Sequence, residues 1–250
     1  MRPLVIVPTY NERENLPRLT EALLAIPDLR ILVVDDASPD GTGEMAQELA
    51  RTSQGRVSVL PRTGKRGLGV AYIEGMQLAL RTDADVICQM DADLSHQPAD
   101  LVRMLQAVPQ ADVVIGSRYV PGGRIVNWPP HRRMLSASAN RYIRTVCGVS
   151  VHDCTSGFRC WKREALASIP LERIGSEGYA FLVEMLHEAI RRRCVISEVP
   201  ISFIERRYGA SKLSARVIFE SAILPWRIAF DSTPRTQAPA DFHPDRSDGV

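Results

Sequence analysis

The sequence predicts an α/β fold built on a doubly wound, mainly parallel sheet. Three observations predict it. Short β-branched runs alternate with helix-like patterns through the first half of the chain. The runs are almost continuously apolar, as in strands covered on both faces. Polar clusters follow four of them, at the strand ends where open sheets collect ligands.

The expected strands are 4–7, 31–35, 57–60, 86–90 and 113–115, with helices near 13–25, 41–51, 67–81 and 98–106. Beyond Ser117 the alternation stops. Residues 119–133, YVPGGRIVNWPPHRR, are rich in Gly and Pro and predict a long mobile loop. A helix near 134–146 follows, then DCTSGFRCW (153–161), then helices near 163–169 and 179–192. Residues 195–199 and 201–205 are expected to pair as a small β extension, interrupted at Pro200. Residues 231–250 lack apolar periodicity and predict a disordered tail behind a domain of residues 1–230.

Composition narrows the function. The chain has 250 residues, 45% of them hydrophobic, enough for one large core. Lys and Arg number 31 against 29 Asp and Glu, so the net charge of +2 creates no global field for nucleic acid or an acidic partner. The five cysteines (88, 147, 154, 160, 194) form no C-x-x-C pair and read as reduced cytosolic thiols. The N-terminus runs straight into a strand pattern, so no export signal is expected. No segment is long and cleanly apolar enough for a membrane span. The nearest, 213–230, carries Arg216, Glu220, Arg227 and Pro225 and suits a buried or interfacial helix.

The four strand-end clusters are PTYNE (8–12), DDASPDGT (35–42), DAD (91–93) and GSRY (116–119). Each alone also reads as a turn or helix cap. Four on one edge of one sheet point to a site. In extended chain, residues i and i+2 point the same way, so Asp91 and Asp93 can face one point. Two close carboxylates repel unless a cation sits between them. Their hard oxygens suit Mg²⁺ or Mn²⁺, and Mg²⁺ typically binds through one or two carboxylates plus substrate phosphates.

PTYNERENL (8–16), VDDASPDGT (34–42), MDADLSHQP (90–98), IGSRYVPGG (115–123), DCTSGFRCW (153–161) and RRYGASKL (206–213) together carry a resemblance. The chain resembles the polyprenol (dolichol) monophosphate mannose synthases, within the inverting GT-A glycosyltransferases of family 2. The likeness spans about residues 3–230, and MDADLSH, TSGFR and RYG-x-SK in that order are its specific part. It implies a GDP-mannose donor, a divalent metal, a polyprenyl phosphate acceptor and a β-mannosyl phosphate product. It implies Pro8, Tyr10, Glu12, Val34 and Asp36 on the nucleoside, and Asp91, Ala92 and Asp93 on donor and metal. It implies Arg118, Arg206 and Lys212 on the donor's phosphates or sugar, with Asp91, Asp93 and Arg206 closest to catalysis. Some relatives place a metal-ligating Gln where this chain has the shorter Ser95.

The residue chemistry agrees with these roles. A Tyr10 ring can pack on a base while Glu12 accepts from a ribose hydroxyl. Asp36 can accept a base N–H, which guanine and uracil both offer, so a UDP-glucose donor stays open. Metal, Arg206 and Lys212 would stabilise a departing diphosphate, and the Gly-containing loop that carries both cations could close over the donor. A phosphate monoester nucleophile is largely ionised near neutral pH and needs no strong base. On the acceptor side Arg124, Arg132 and Arg133, with Arg118, Ser156, Arg141 and Arg144, are candidates for the phosphate and an anionic leaflet. Val120, Ile125, Val126 and Trp128 are candidates for the lipid. The expected location is peripheral, on the cytoplasmic face of a membrane, with a separate membrane-anchoring subunit as one means of attachment.

Other signals carry less. Gly64–Gly69, GKRGLG, matches neither common phosphate-loop pattern and reads as a helix-entry loop. His96 lies near the DAD pair, and the other histidines default to structure. Asp153–Gly157 reads as an acceptor-side site or turn rather than a cysteine nucleophile. Two rivals remain open: a nucleotide-dependent oxidoreductase, against which the absent G-x-G-x-x-G speaks, and a non-catalytic nucleotide-sugar-binding protein.

Overall fold

Alternation along the first strand, β1 (Pro3–Thr9), sorts the interior into two cores. Leu4 and Ile6 enter one, Val5 and Val7 the other, as the period of two in extended chain requires. The computed structural model describes residues 1–64, 67–176, 178–205 and 225–226. Arg206, Lys212, the 206–212 loop, the tail and all but two residues of the 213–230 segment lie outside the described residues.

The elements alternate as β1, α1 (Leu16–Leu24), β2 (Arg30–Asp35), α2 (Thr42–Thr52), β3 (Val57–Pro61), α3 (Leu68–Ala79), β4 (Val86–Gln89), α4 (Pro98–Ala107) and β5 (Val113–Ser117). After these come β6 (Arg124–Val126), α5 (Pro130–Cys147), β7 (Arg159–Lys162), α6 (Arg163–Ser168), α7 (Gly178–Arg191), β8 (Ile196–Pro200) and β9 (Ser202–Ile204). Seven strands form one sheet in the order β3-β2-β1-β4-β7-β5-β8. All its pairings are parallel except those of β7, which runs against both β4 and β5. The core on one face takes side chains from α3 and α7, and the core on the other from α1 and α4. The ends of β1, β2, β4 and β5 therefore share one edge, as the four polar clusters predicted.

Three expectations are corrected. Residues 195–199 and 201–205 do not pair with each other: β8 lies parallel to β5, and β9 lies parallel to β6 in a separate two-stranded sheet. The chain changes sheets at Pro200, which has no N–H to extend a ladder, and Ile201 accepts from Arg124 N instead, at 2.9 Å. The 119–133 segment is not irregular throughout, because it holds β6 and the first turn of α5. Pro130 opens α5 four residues earlier than expected, since proline fits a first helical turn where its missing N–H costs nothing. The inserted strand β7 was not foreseen: it has four residues, with a cation at each end.

α3 sits close to the sheet. A Cβ at Gly75 would lie 2.7 Å from Ile6 Cγ2 and 3.1 Å from Val34 Cγ2. Gly75→Val should therefore cost about 2 kcal/mol or more through overpacking, despite its added helix propensity. Urea denaturation at equilibrium measures it.

Candidate active site at the carboxyl edge of the sheet

The loop after β2 is built to hold the loop after β1. Asp35 is buried and accepts from Thr9 Oγ1 at 2.9 Å and from Ser38 N and Oγ at 3.0 and 2.6 Å. Ser38 Oγ then accepts from Asn11 N at 3.1 Å, Thr42 Oγ1 from Glu12 N at 2.9 Å, and Asp40 from Arg13 N at 3.2 Å. Against the cost of burial, hydrogen bonds from Thr42 and Arg13 hold the Asp40 carboxyl below its ordinary pKa. Asp36 pairs with Arg62, whose side chain is buried and also reaches Glu74 at 2.9 Å. Pro8, Tyr10 and Glu12 are thus presented half-buried on a braced loop beside Asp36.

The turn after β4 carries the carboxylate pair. Asp91 N donates to His96 Nδ1 at 3.3 Å, and Asp93 Oδ1 accepts from Ser95 N at 3.1 Å. An accepting Nδ1 assigns a neutral imidazole with its proton on Nε2. Burial pulls the His96 pKa down, against the raising fields of Asp91 and Asp93. Tyr72, from α3, donates to Asp91 Oδ1 at 3.2 Å. Burial and Asp91 push its pKa well up, so it remains a donor. Below the turn, Arg159 is fully buried and donates to the carbonyls of Ser156, Leu182 and Cys154 at 2.9, 2.8 and 2.9 Å. Burial lowers its pKa to about 10. Each of the three loops also holds one residue in the left-handed region: Asn11, Ala37 and Leu94 have φ of 61°, 52° and 62°.

The loop after β5 builds a third wall. Arg118 binds Asp153 with two parallel 2.7 Å bonds, a geometry that fixes the guanidinium plane. Asp153 is held in turn by its N–H on the buried Glu198 at 3.0 Å. An aromatic column joins this wall to the carboxylates. His96 stacks on Phe158 at 4.7 Å and meets Phe203 edge-on at 5.4 Å, and Phe203 meets Trp128 at 5.4 Å. The Arg132 guanidinium lies 4.0 Å from the Trp128 ring centre and pairs with Glu205 at 2.8 Å. Ile204 N donates to Ser95 O at 3.0 Å, tying β9 to the same turn.

Comparison with known proteins gives the family. Residues 4–169 match the family described as glycosyl transferase family 2. The chain is also 50% identical to the polyprenol monophosphomannose synthase of Mycolicibacterium smegmatis over 88% of its length and 84% of the relative's. The chain belongs to glycosyltransferase family 2. It is 48% identical to the undecaprenyl-phosphate mannosyltransferase of Micrococcus luteus, over 89% of this chain and 92% of that one. Among solved structures, glucosyl-3-phosphoglycerate synthase from Mycobacterium tuberculosis, with Mn²⁺, UDP-glucose and phosphoglyceric acid, superposes with a TM-score of 0.64 at 18% identity, covering 90% of this chain and 80% of that one. A mannosyltransferase from Pyrobaculum calidifontis, with GDP-Man and Mn²⁺, superposes with a TM-score of 0.55 at 17% identity, covering 91% and 72%. These two likenesses establish the fold, which is GT-A.

In this glycosyltransferase the structure gathers Pro8, Tyr10, Glu12, Asp36, Asp91, Ala92, Asp93 and Arg118 along one edge. Val34 differs: its side chain is in the core, so only its backbone faces the edge's chemistry. Ala92 is buried as well. Ser156 is buried with its hydroxyl committed to Gly116 O at 2.6 Å, which makes it a tie between β5 and the start of β7. Trp128 is corrected: it lies buried between Arg132 and Phe203 and offers little to a lipid. Arg124 and Arg133 are exposed. Sequence reasoning missed Tyr72, Arg62, Arg159 and Phe203, since a buried Tyr or Phe reads as core and a single Arg reads as surface.

The buried cysteines are poorly placed to act as nucleophiles. Burial pushes the Cys154 thiol up to about 12 and Cys147 to about 11, while Cys88 and Cys160 face each other at 3.2 Å, fully buried. Thiol-specific labelling of the native protein at pH 8 should leave Cys88, Cys154 and Cys160 unmodified, and denaturant should expose all three.

Proposed function

We propose that this glycosyltransferase moves mannose from GDP-mannose to a polyprenyl phosphate at a membrane surface, giving polyprenyl β-mannosyl phosphate with inversion. The observation that carries the reading is the near-full-length match to two prenyl-phosphate mannosyltransferases, on a chain whose strand-end loops converge on one edge. Tyr10 packs on the base, Glu12 takes a ribose hydroxyl, and Asp36, held by Arg62, accepts a base N–H.

The residues fit a divalent ion, Mg²⁺ or Mn²⁺. Asp91 and Asp93 supply two hard oxygens from one turn, and Ser95 Oγ, two residues on, is buried without a hydrogen-bond partner among the described residues. Among the described residues no cluster of three or more His, Cys, Asp or Glu side chains could hold a metal alone. Substrate phosphate and water would complete such a shell, as Mg²⁺ sites typically allow. When bound, the ion supplies charge neutralisation to the diphosphate leaving group. Arg206 and Lys212 would add to that neutralisation, and Arg118, fixed by Asp153, would present its charge towards the acceptor phosphate. Arg124, Arg132 and Arg133 extend the positive surface outward. The phosphate attacks the anomeric carbon as an ionised nucleophile, so no side chain has to remove a proton from it.

The membrane reading rests on residues 113–152, which include six arginines and no carboxylate. In this stretch Met134 and Leu135 of α5 are 71% and 73% exposed. Cationic and apolar groups side by side suit an anionic leaflet. Among the described residues no helix is long and apolar enough to cross a membrane. The protein is therefore proposed to be peripheral, on the cytoplasmic face, with or without an anchoring subunit.

The test is transfer of labelled sugar from GDP-mannose, and separately from UDP-glucose, to polyprenyl phosphate in detergent with Mg²⁺ or EDTA. Metal-dependent lipid labelling from GDP-mannose alone is expected, and labelling from UDP-glucose alone would replace the sugar. Asp93→Asn should lower turnover by about 100-fold or more without changing thermal stability, and Arg206→Ala should weaken donor use by a similar order. The protein should also float with anionic liposomes at low salt and be released at high salt.

A further inference from the structure

The 67–75 stretch, GLGVAYIEG, is left unassigned by the roles above, and its spacing has a consequence for Asp91. Gly69, Tyr72 and Gly75 recur every three residues and so lie along one face of α3. A Cβ at Gly69 would lie 2.8 Å from Ser176 O and 3.2 Å from Phe181 Cβ, and Gly75 meets Ile6 as closely. Both ends of this face can therefore approach their neighbours closely, and Tyr72 between them is driven into the interior. Its ring lies parallel to Phe181, with centroids 6.0 Å apart. Its hydroxyl ends 3.2 Å from Asp91 Oδ1. A phenylalanine would fill the same space, so packing does not call for the hydroxyl. Burying one costs free energy unless it is bonded, and here the bond goes to one carboxylate of the proposed metal pair.

We propose that Tyr72 is a positioning residue for Asp91: its O–H fixes the rotation of the carboxylate, so that Asp91 is oriented for the divalent ion before donor arrives. His96, accepting from Asp91 N, fixes the backbone of the same residue, and Tyr72 fixes its side chain. Partners that orient a ligating carboxylate typically contribute 10- to 100-fold in metal affinity or activity. The inference rests on the metal reading of Asp91 and Asp93.

The experiment is Mn²⁺ binding to the full chain in the presence of GDP, followed through the paramagnetic resonance signal of free Mn²⁺. Wild type, Tyr72→Phe and Asp93→Asn are compared, with GDP affinity in EDTA and thermal midpoint measured for each. Tyr72→Phe is expected to weaken Mn²⁺ binding by about tenfold or more, with GDP affinity in EDTA and thermal midpoint unchanged. The Mn²⁺ concentration for half-maximal transfer should rise in parallel, with kcat at saturating Mn²⁺ falling less. Binding of Mn²⁺ by Tyr72→Phe within about twofold of wild type overturns the inference while leaving the metal reading intact. An equal loss of GDP affinity in EDTA also overturns it, because the hydroxyl would then support the whole pocket. If wild type binds no Mn²⁺ with GDP, or Asp93→Asn binds it as well as wild type, the metal reading fails and the inference falls with it.

Discussion

Two carboxylates that face one point at the end of a buried strand repel, and the site depends on how the protein holds them there. The backbone does part of it. His96 receives the Asp91 N–H on a neutral, buried imidazole, and the Ser95 N–H caps Asp93. Side chains do the rest, with Tyr72 on Asp91 and the buried cation Arg159 below, its donors occupied by carbonyls. The turn is thus preorganised for charge, the arrangement from which enzymes draw most of their electrostatic stabilisation.

The other walls follow from the same need for rigidity. The loop after β1 is braced from outside by Asp35, Ser38, Asp40 and Thr42. On the far side, Glu198 holds Asp153 and Asp153 holds Arg118, so a cation is kept in place by a chain of carboxylates. The antiparallel strand β7 carries Arg159 directly and places Phe158 under His96, which joins the walls through Phe203 and Trp128. β6 and β9 finish that column.

The parallel half of the fold was legible because its central strands β1, β2, β4 and β5 are buried on both faces and read as apolar runs. The carboxyl edge was legible for the same reason, since polar residues such as Asp35, Asp91 and Ser117 stand out where such runs stop. β7 was not, because its length gives no periodicity and its buried Arg159 looks like a surface residue in sequence. The pairing of β8 and β9 was misread because adjacency in sequence suggests a hairpin, whereas Pro200 ends one ladder and the chain enters another. Trp128 was misread because an indole in a Gly- and Pro-rich stretch suggests an exposed tip, whereas two arginines and Phe203 enclose it. Tyr72 was invisible because one hydroxyl on an apolar helix face leaves no pattern. The resemblance of the motifs supplied the donor and acceptor classes, which residue chemistry alone left open between guanine and uracil.

The central claim is that the donor lies across the ends of β1, β2 and β4, with its diphosphate at Asp91 and Asp93. A crystal structure of the full chain with GDP and Mn²⁺ tests it most directly. The expected result is Mn²⁺ bound by Asp91 and Asp93 together with diphosphate oxygens, and guanine between Tyr10 and Asp36. A nucleotide bound away from this edge, or Mn²⁺ held by other side chains, would contradict it.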